Sequence, residues 1–552
     1  MLAFVLVALV AVTLAAAFHA RDMACDDAYI TFRYARNLQE GYGLVWNEGG
    51  DRCEGYSNLT YVAGLAALGW LGVHPATGAL VFACVGFAAL VWLLWRCTAA
   101  AGPWRPLALA PTLLLFANGD AGDHLSRGLE TVPFAALGLG QIVALAGLCQ
   151  GRQGRWRIVA VAGLATLLFL TRPDGVLWTG CSLVAAWWWC RSEPMARRRV
   201  VLAGLAWLAA GGAYAAWKLA YFGHLLPNPF YLKSGAGRFA GIPETLAFAR
   251  AYGPLLAAMF VGALVARRRA VEPWLCLAIA VPWLAYGSKI VHEIGFAHRF
   301  CWPLVPLLGL GAGAGLSRLT PGSGRTVVHA IAWVALLLSA AWSSSGVLAA
   351  IRGLSAPPPK DVYVAAFLRL GEMIRSAGFG SQIHLYCSHA GATPYVARAH
   401  HIDPAGLVDN GYSPRNPPEQ RAAYEAALQF DVIDWHLFPA SPGAATFLED
   451  SRAISSTYLN RWCFGDDPDL DAMLRAAQSE TALAVRRETA FVYMRILRDH
   501  ATLVGEVTNG LQRWRSFVYV WKTSPRHDAL VAHLSSRVDI PASAIDFDGW
   551  PR

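Results

Sequence analysis

The chain has 552 residues, 55% of them hydrophobic and only 15% charged, with 22 tryptophans. Soluble domains average about 25% charged residues, so a soluble globular protein is excluded and a polytopic α-helical membrane protein is indicated. The net charge of +9 does not point to nucleic acid. From residue 351 onward 20 Lys and Arg meet 22 Asp and Glu, which leaves 26 basic against 15 acidic residues in the first 350. There the excess sits in membrane loops and reports topology.

In chain order, apolar runs near the ~20 residues that cross ~30 Å of hydrocarbon predict spans at about 2–20, 78–96, 105–118, 131–149, 157–171, 176–190, 200–222, 250–266, 271–287, 301–316 and 326–350. The first run ends in small residues, as a signal peptide does, but lacks a basic n-region, so a retained anchor is expected. Arginine clusters lie at Arg96/Arg105, Arg152/Arg155/Arg157, Arg191/Arg197/Arg198/Arg199, Arg267/Arg268/Arg269 and Arg318/Arg325. Eleven spans starting with a cytoplasmic N-terminus place all five clusters inside. Residues 59–73 are apolar but short, and are read as a helix in the outer interface.

The expected organisation is a membrane-embedded domain, 1–350, followed by an extracytoplasmic soluble domain, 351–552. The boundary is the breaker cluster "SAPPPKD". The tail mixes a strand-like run at 383–387 with helical stretches at 361–376 and 470–500, a mixed α/β domain large enough for its own core. Its "CFGDDPDLDAM" (463–473) lacks the glycine and distal glutamate of an EF-hand and reads as a capped helix start. Of eleven cysteines, Cys25 and Cys53 bracket the first outer loop, where an oxidising exterior leads us to expect a bridge. The same compartment allows Cys387–Cys463. No spacing suggests a zinc site.

The stretch after the first span, "CDDAYITFRYARNLQEGYGLVWNEGGDRCEGYSN" (25–58), carries the most chemistry. Ile30, Tyr34 and Leu38 fall on one helical face, with Asp26 as the expected N-cap and Asp27 in the first turn. Capping explains one carboxylate. It does not explain two beside Arg33 and Arg36 at the membrane edge, where charge is costly and lines a polar cavity or performs chemistry. A carboxylate half-removed from water has its pKa raised by desolvation and lowered by arginine, which is how a usable base is set.

"DDAYITFRYARNLQEGYGLVWN" with "EGYSN" resembles the first outer loop of the GT-C membrane glycosyltransferases, and among them the mycobacterial terminal β-(1→2)-arabinofuranosyltransferase family. "RGLET" (127–131), "TRPDG" (171–175), "FGHLLPNPFYLKSG" (222–235), "HRFCWPLVP" (298–306) and "AGATPYVARAHHIDPAGLVD" (390–409) follow in that family's order. The resemblance implies a GT-C fold with an outward cavity. It also implies transfer of a sugar, arabinofuranose among the candidates, from a polyprenyl-phosphate donor to a glycan, glycolipid or glycoprotein acceptor. The implied place is the outer face of a bacterial cytoplasmic membrane. The family's first-loop acid maps to Asp27 or Asp26. The segment "YGSKIVHEIGFAHRF" departs from the family in carrying Lys289 and Glu293, so no donor-sugar residue is carried over there.

Such chemistry needs a carboxylate to take a hydroxyl proton, for which Asp26 and Asp27 fit with Glu54 and Glu130 in reserve. It needs cations for the departing phosphate, for which Lys233, His298 and Arg299 are the candidates and Arg172 a further one. It needs polar and aromatic groups for sugar and acceptor, for which Asn47, Glu54, Tyr56, Asn58, His124 and Glu130 are available. Each has a plain structural alternative: Arg299 snorkelling at a span end, Arg172 pairing with Asp174 across a Pro-Gly turn, His124 as a polar loop residue. No cofactor is called for, and a divalent metal stays open. The competing classes are a membrane transporter or an assembly protein for polyprenyl-linked glycans; a transporter places its charges near the midplane of paired, broken repeats, and neither is visible here.

Overall fold

The computed structural model describes residues 2–98, 119–152, 154–234, 241–266, 270–290, 296–316, 348–357, 359, 361–387, 389–437, 500–508 and 515–544. The chain divides into two compact units. One comprises Met1–Ala24, Ser57–Leu225 and Lys233–Lys360; the other comprises Cys25–Tyr56, Leu226–Leu232 and Asp361–Arg552.

The first unit is helical. Helices cover every run read as a span except 105–118 and most of 326–350, which lie outside the described residues. Among the described residues, Pro75–Cys97, Thr131–Cys149 and Pro194–Phe222 are each long and apolar enough to cross a membrane; Ile242–Ala251 and Gly253–Leu264 form a further candidate, bent by 75°. The chain is therefore a multi-pass membrane protein. The short apolar run forms helix Leu59–Trp70 of 12 residues. At 1.5 Å per residue it reaches ~18 Å, too short to cross, and Trp70 and Leu71 at its end are exposed.

Between lipid-soluble helices there is little hydrophobic drive, so close packing must come from small residues and interlocking rings. Trp178 lies 5.5 Å from Trp283 and 5.9 Å from Phe134 in edge-on contacts. The Trp178 ring fills the space where a Cβ on Gly138 would stand. Helices Gly253–Ala266 and Leu304–Leu316 approach until the Gly262 backbone occupies the place of a Gly315 side chain.

The second unit is built on a six-stranded sheet of β1 (His384–Tyr386), β2 (His400–Ile402), β3 (Val432–Leu437), β4 (Ala501–Thr508), β5 (Arg515–Trp521) and β6 (Ile540–Pro541), in the order β2-β1-β3-β5-β4-β6. β1 is parallel to β2 and β3, and the remaining pairings are antiparallel. Phe517 to Trp521 of β5 are all buried, as a central strand covered on both faces requires. Leu370 and Ile374 of helix Val362–Arg375, with Leu530 and Leu534 of helix His527–Ser535, complete the core over Leu385, Val432 and Val518. The helix expected at 470–500 and the aspartate-rich 463–473 lie outside the described residues.

Three expectations about the first outer loop are corrected. Helix Asp26–Gln39 begins at Asp26 with Cys25 as its N-cap residue, so Asp26 is the first helical residue. The helix is not amphipathic in effect: Ala28 through Asn37 are all buried, because the tail wraps the faces that periodicity assigns to water. Cys25 and Cys53 are buried thiols and form no bridge with each other. The loop is pinned instead by hydrogen bonds, including the Tyr34 hydroxyl, which donates to the Cys53 carbonyl at 2.7 Å and accepts from Gly55 N at 3.0 Å. Cys387, likewise a buried thiol, sits 3.2 Å from His401 Nε2; Cys463 lies outside the described residues.

Arg33 is the main fastening. It is 2% exposed, stacks over Trp46 at 4.5 Å and donates to Trp46 O (2.8 Å), Pro394 O (2.7 Å), Ala399 O (2.8 Å) and Asn47 Oδ1 (3.0 Å). Desolvation draws its pKa down to about 9, still protonated at neutral pH. Arg33→Ala strands buried carbonyls, each of which costs about 1–3 kcal/mol when left unsatisfied, and should destabilise the second unit by at least that amount. Arg33→Lys should recover only part of this, because an ammonium cannot span the same acceptors. Melting curves of the two variants in detergent check both values.

Candidate functional site

In the second unit the two first-loop acids have different surroundings. Asp26 Oδ1 accepts from Ala392 N at 2.7 Å, the first residue of helix Ala392–Ala397. The approach is so close that any Cβ on Gly391 would overlap the Asp26 carboxyl group. Burial raises Asp26 to about 7, against the Ala392 hydrogen bond and with the charges of Asp27 and Asp361 adding to it. Asp27, next along the same helix, is half-buried.

The loop's polar residues are largely engaged in holding it. Asn47 Oδ1 accepts from His401 N at 2.9 Å, and its Nδ2 donates to His401 O at 2.9 Å, so the side chain extends the sheet edge as a backbone would. His401 accepts from Trp46 Nε1 at 3.0 Å through Nδ1, which places its proton on Nε2. Burial, the Arg33 charge and His400 hold its pKa down at about 3. Glu54 and Tyr56 are buried, Tyr56 edge-on to Tyr34 at 4.7 Å. Lys233 lies in helix Asn228–Ser234, with its side chain outside the described residues.

In the first unit a second polar set gathers, and the remaining sequence candidates belong to it. Arg172, at the end of helix Arg155–Thr171, forms a two-pronged pair with Asp174 (3.1 and 2.7 Å). It also lies 3.9 Å from Glu130, whose other oxygen accepts from Asn58 Nδ2 at 3.0 Å. Phe134 and Phe300 flank the guanidinium at 5.3 and 5.4 Å. Burial opposes its charge, but Asp174 and Glu130 outweigh burial and the pKa rises.

His124 is 1% exposed, with Trp302 4.7 Å away. Its Nε2 lies 2.9 Å from the Ala297 carbonyl, so Nε2 carries the proton and Nδ1 is a lone-pair acceptor. Nδ1 is buried without a hydrogen-bond partner among the described residues. Burial first, and then the charges of Arg299, His298 and Arg172, push His124 down to about 3, with only the Ala297 contact opposing.

His298 Nδ1 meets Glu244 at 2.8 Å. Ala297 and His298 have φ of 46° and 56°, left-handed values that cost non-glycine residues on the order of 1–3 kcal/mol each and concentrate at functional sites. Sequence reasoning missed Glu244 and the Asp120–Tyr252 pair (2.6 Å). An acid between apolar runs is the signal that would have found Asp120. Among the described residues, no group of three or more His, Cys, Asp or Glu side chains is arranged to hold a metal.

No protein-family model matches the chain. It is 29% identical over 245 residues to the terminal β-(1→2)-arabinofuranosyltransferase of Mycobacterium tuberculosis (strain ATCC 25618 / H37Rv), a stretch covering 39% of this chain and 36% of that protein. The chain thus matches about a third of that relative's length, and the resemblance read from the motifs is found again. ArnT from Cupriavidus metallidurans, solved bound to undecaprenyl phosphate, aligns over 95% of this chain and 98% of its own at a TM-score of 0.55 and 13% identity. Its apo form gives the same score and identity over 94% and 97%. The likeness to ArnT is one of fold: this chain has the GT-C architecture, mostly helical with a small C-terminal sheet.

The titrations in the second unit give a pH dependence. Burial raises Asp26 and Asp403 to about 7 and Asp434 to about 8. Each contributes stability that is full below its unfolded value near 3.8 and is lost as pH rises through the folded value. The depressed His400 (about 4) and His401 (about 3) contribute stability that is full above about 6.5 and lost only as pH falls. Between pH 6.5 and 8.5 the carboxylates therefore act alone, and thermal stability should fall. Asp434→Asn should remove the upper part of that fall, as read from melting temperatures at the two pH values.

Proposed function

We propose that this chain transfers a sugar from a polyprenyl-phosphate carrier to an acceptor hydroxyl at the outer face of a bacterial cytoplasmic membrane, with Asp27 as the base. The observation that carries the choice between the two acids is the Asp26–Ala392 hydrogen bond. Asp26 is spent on holding a second helix's terminus. Asp27 follows it on the same helix Asp26–Gln39, made rigid by Arg33 and by Arg36, which donates to Tyr395 O at 2.7 Å. A base on a rigid, buried helix keeps its reach to a substrate proton constant.

In this reading Asp27 takes the proton of the acceptor hydroxyl while that oxygen attacks the anomeric carbon. The bond from that carbon to the phosphate oxygen breaks, and the polyprenyl phosphate leaves with the bonding pair. This single displacement inverts the anomeric carbon; in a retaining reaction the same carboxylate would instead steady a positively charged sugar. Arg299 and His298, with Lys233, are the cations assigned to the leaving phosphate. Arg172 is the weaker choice, since Asp174 and Glu130 answer its charge. His124, with its proton fixed on Nε2, offers Nδ1 to a sugar hydroxyl. Asn58 and Glu130 are assigned beside it, and Glu54 and Tyr56 to the acceptor; Asn47 is already engaged by the sheet.

The carrier class is supported by the undecaprenyl phosphate bound to ArnT, and arabinofuranose by the mycobacterial relative's activity. The extracytoplasmic placement of 351–552 rests on the arginine clusters.

Asp27→Asn should lower transfer about 10²–10⁴-fold, the range supplied by a positioned base, with thermal stability retained. Asp26→Asn keeps an acceptor oxygen for Ala392 N and should stay within a few-fold of the unsubstituted protein, whereas Asp26→Ala should lose stability. Transfer from a radiolabelled polyprenyl-phosphate sugar in membranes is the assay; full activity of Asp27→Asn would overturn the assignment. The topology is tested separately. Reporter fusions after Arg199 and after Ser355 should fall on opposite sides of the membrane, and finding both on one side sinks the eleven-span arrangement.

A further inference from the structure

Resting on the assignment of His298 to the leaving phosphate, we propose that Glu244 is its positioning residue. Glu244 holds the imidazole by Nδ1, so that Nε2 presents a proton to the departing phosphate.

Helix Ile242–Ala251 is built around one ring. Glu244 in its first turn, Phe248, and Tyr252 at its C-cap follow at intervals of four, which places them a turn apart on one face. All three meet His298. The Glu244 carboxylate lies 2.8 Å from Nδ1, and the Phe248 and Tyr252 rings stand edge-on to the imidazole at 5.9 and 6.2 Å. The backbone behind the ring is fixed as well. His298 has a left-handed φ of 56°, and its carbonyl accepts from Cys301 N and Trp302 N, both at 2.8 Å.

A carboxylate on one ring nitrogen decides what the other can do. An ionised Glu244 only accepts, so Nδ1 donates whether the ring is neutral or charged. Nε2 is therefore the position that gains and loses a proton. Among the described residues the hydrogen bonding of the His298 ring is the Glu244 contact alone, and Nε2 is not sealed from its surroundings.

Four other groups act around the ring. Asp120 interacts with its charge and accepts from Tyr252 Oη at 2.6 Å, His124 is neutral, and Arg299 is next in the chain. Only Glu244 hydrogen-bonds to the ring, so one substitution removes the carboxylate that touches it.

The proton accounting closes. When the bond from the anomeric carbon to the phosphate oxygen breaks, its electron pair goes to that oxygen and the Nε2 proton follows. The products are the polyprenyl hydrogen phosphate and a neutral imidazole whose Nδ1 proton still faces Glu244. Asp27 takes one proton from the acceptor as His298 gives one up, and both groups reset through water. Arg299 cannot serve here, because a guanidinium does not release its proton in a protein. Among the side-chain types assigned to the phosphate, histidine is the one that exchanges a proton near neutral pH.

The test uses the full chain in detergent with a radiolabelled polyprenyl-phosphate sugar. Glu244→Gln keeps an acceptor for Nδ1 but not the charge, so it should retain its melting temperature and its donor KM. Its kcat should fall on the order of 10-fold and that of His298→Asn about 10²-fold or more, the lower end of what a positioned acid supplies. Glu244→Asp should fall between Glu244→Gln and the unsubstituted protein. A structural role would slow transfer equally at every pH. As a proton donor, His298 should instead make kcat decline on the alkaline side; the decline should begin at lower pH in Glu244→Gln and be absent in His298→Asn. A second measurement needs neither activity nor a variant enzyme. In nitrogen NMR of histidine-labelled protein, undecaprenyl phosphate should move one Nε2 signal, identified as His298 by its loss in His298→Asn. If that signal moves but the unsubstituted protein transfers no sugar, the transfer reading fails and the phosphate contact at Nε2 stands. An unchanged pH profile in Glu244→Gln, or an Nε2 signal indifferent to the lipid, overturns the proposal.

Discussion

A buried guanidinium with no carboxylate partner among the described residues organises the second unit. Taking Arg33 out of water is costly unless every donor finds an acceptor, and its acceptors come from three places in the chain: Trp46 and Asn47, Pro394, and Ala399. Meeting that requirement forces residues 25–56 to fold with the sheet domain more than 300 residues later. The neighbouring contacts follow from it. Arg36 reaches Tyr395 O, Asn37 bridges Val45 and Trp46 carbonyls, and Asp26 meets Ala392. A loop that looks like a solvated connection is thereby a buried helix of a folded domain.

The first unit answers the opposite problem. Its helices are apolar enough for lipid, yet the ends of several carry Arg172, Asp174, Glu130, His124, His298 and Glu244. These groups avoid the penalty of isolated charge by pairing with one another. His124 is the exception: it is neutral, with one nitrogen bonded and the other buried bare. Its bare Nδ1 can accept a hydrogen bond from a hydroxyl, which a guanidinium cannot. The left-handed Ala297–His298 turn costs backbone energy, and its residues make the His298–Glu244 contact and the Ala297 carbonyl's bond to His124.

The glycosyl-transfer reading therefore rests on residue types in two chemically different settings: carboxylates on a rigid helix in one unit, and cations around a neutral imidazole in the other. Fold alone does not select a reaction. Among the candidate residues, Arg172, Asp26 and Asn47 have partners that occupy them.

Much was legible in the sequence because the governing forces are local and one-dimensional. Hydrocarbon thickness sets the length of an apolar run, so the helices at 78–96, 131–149 and 200–222 could be placed by counting. Residues 59–73 could be rejected as a span for the same reason. The acid pair, "TRPDG" and "HRF" were visible as charges at the ends of such runs, and the Arg172–Asp174 pair was foreseeable from its two-residue spacing. The first-loop helix misled, because periodicity reports one wetted face and cannot see a domain arriving from residues 361–544 to cover it. Likewise, two cysteines on one loop suggested a bridge, whereas Tyr34 and Asn228 hold Cys53 by hydrogen bonds. Which acid is occupied and which nitrogen of His124 holds its proton were decided only by tertiary structure. Hydrogen-bond partners separated by 100 to 370 residues leave no periodic or spacing signal in the chain that encodes them.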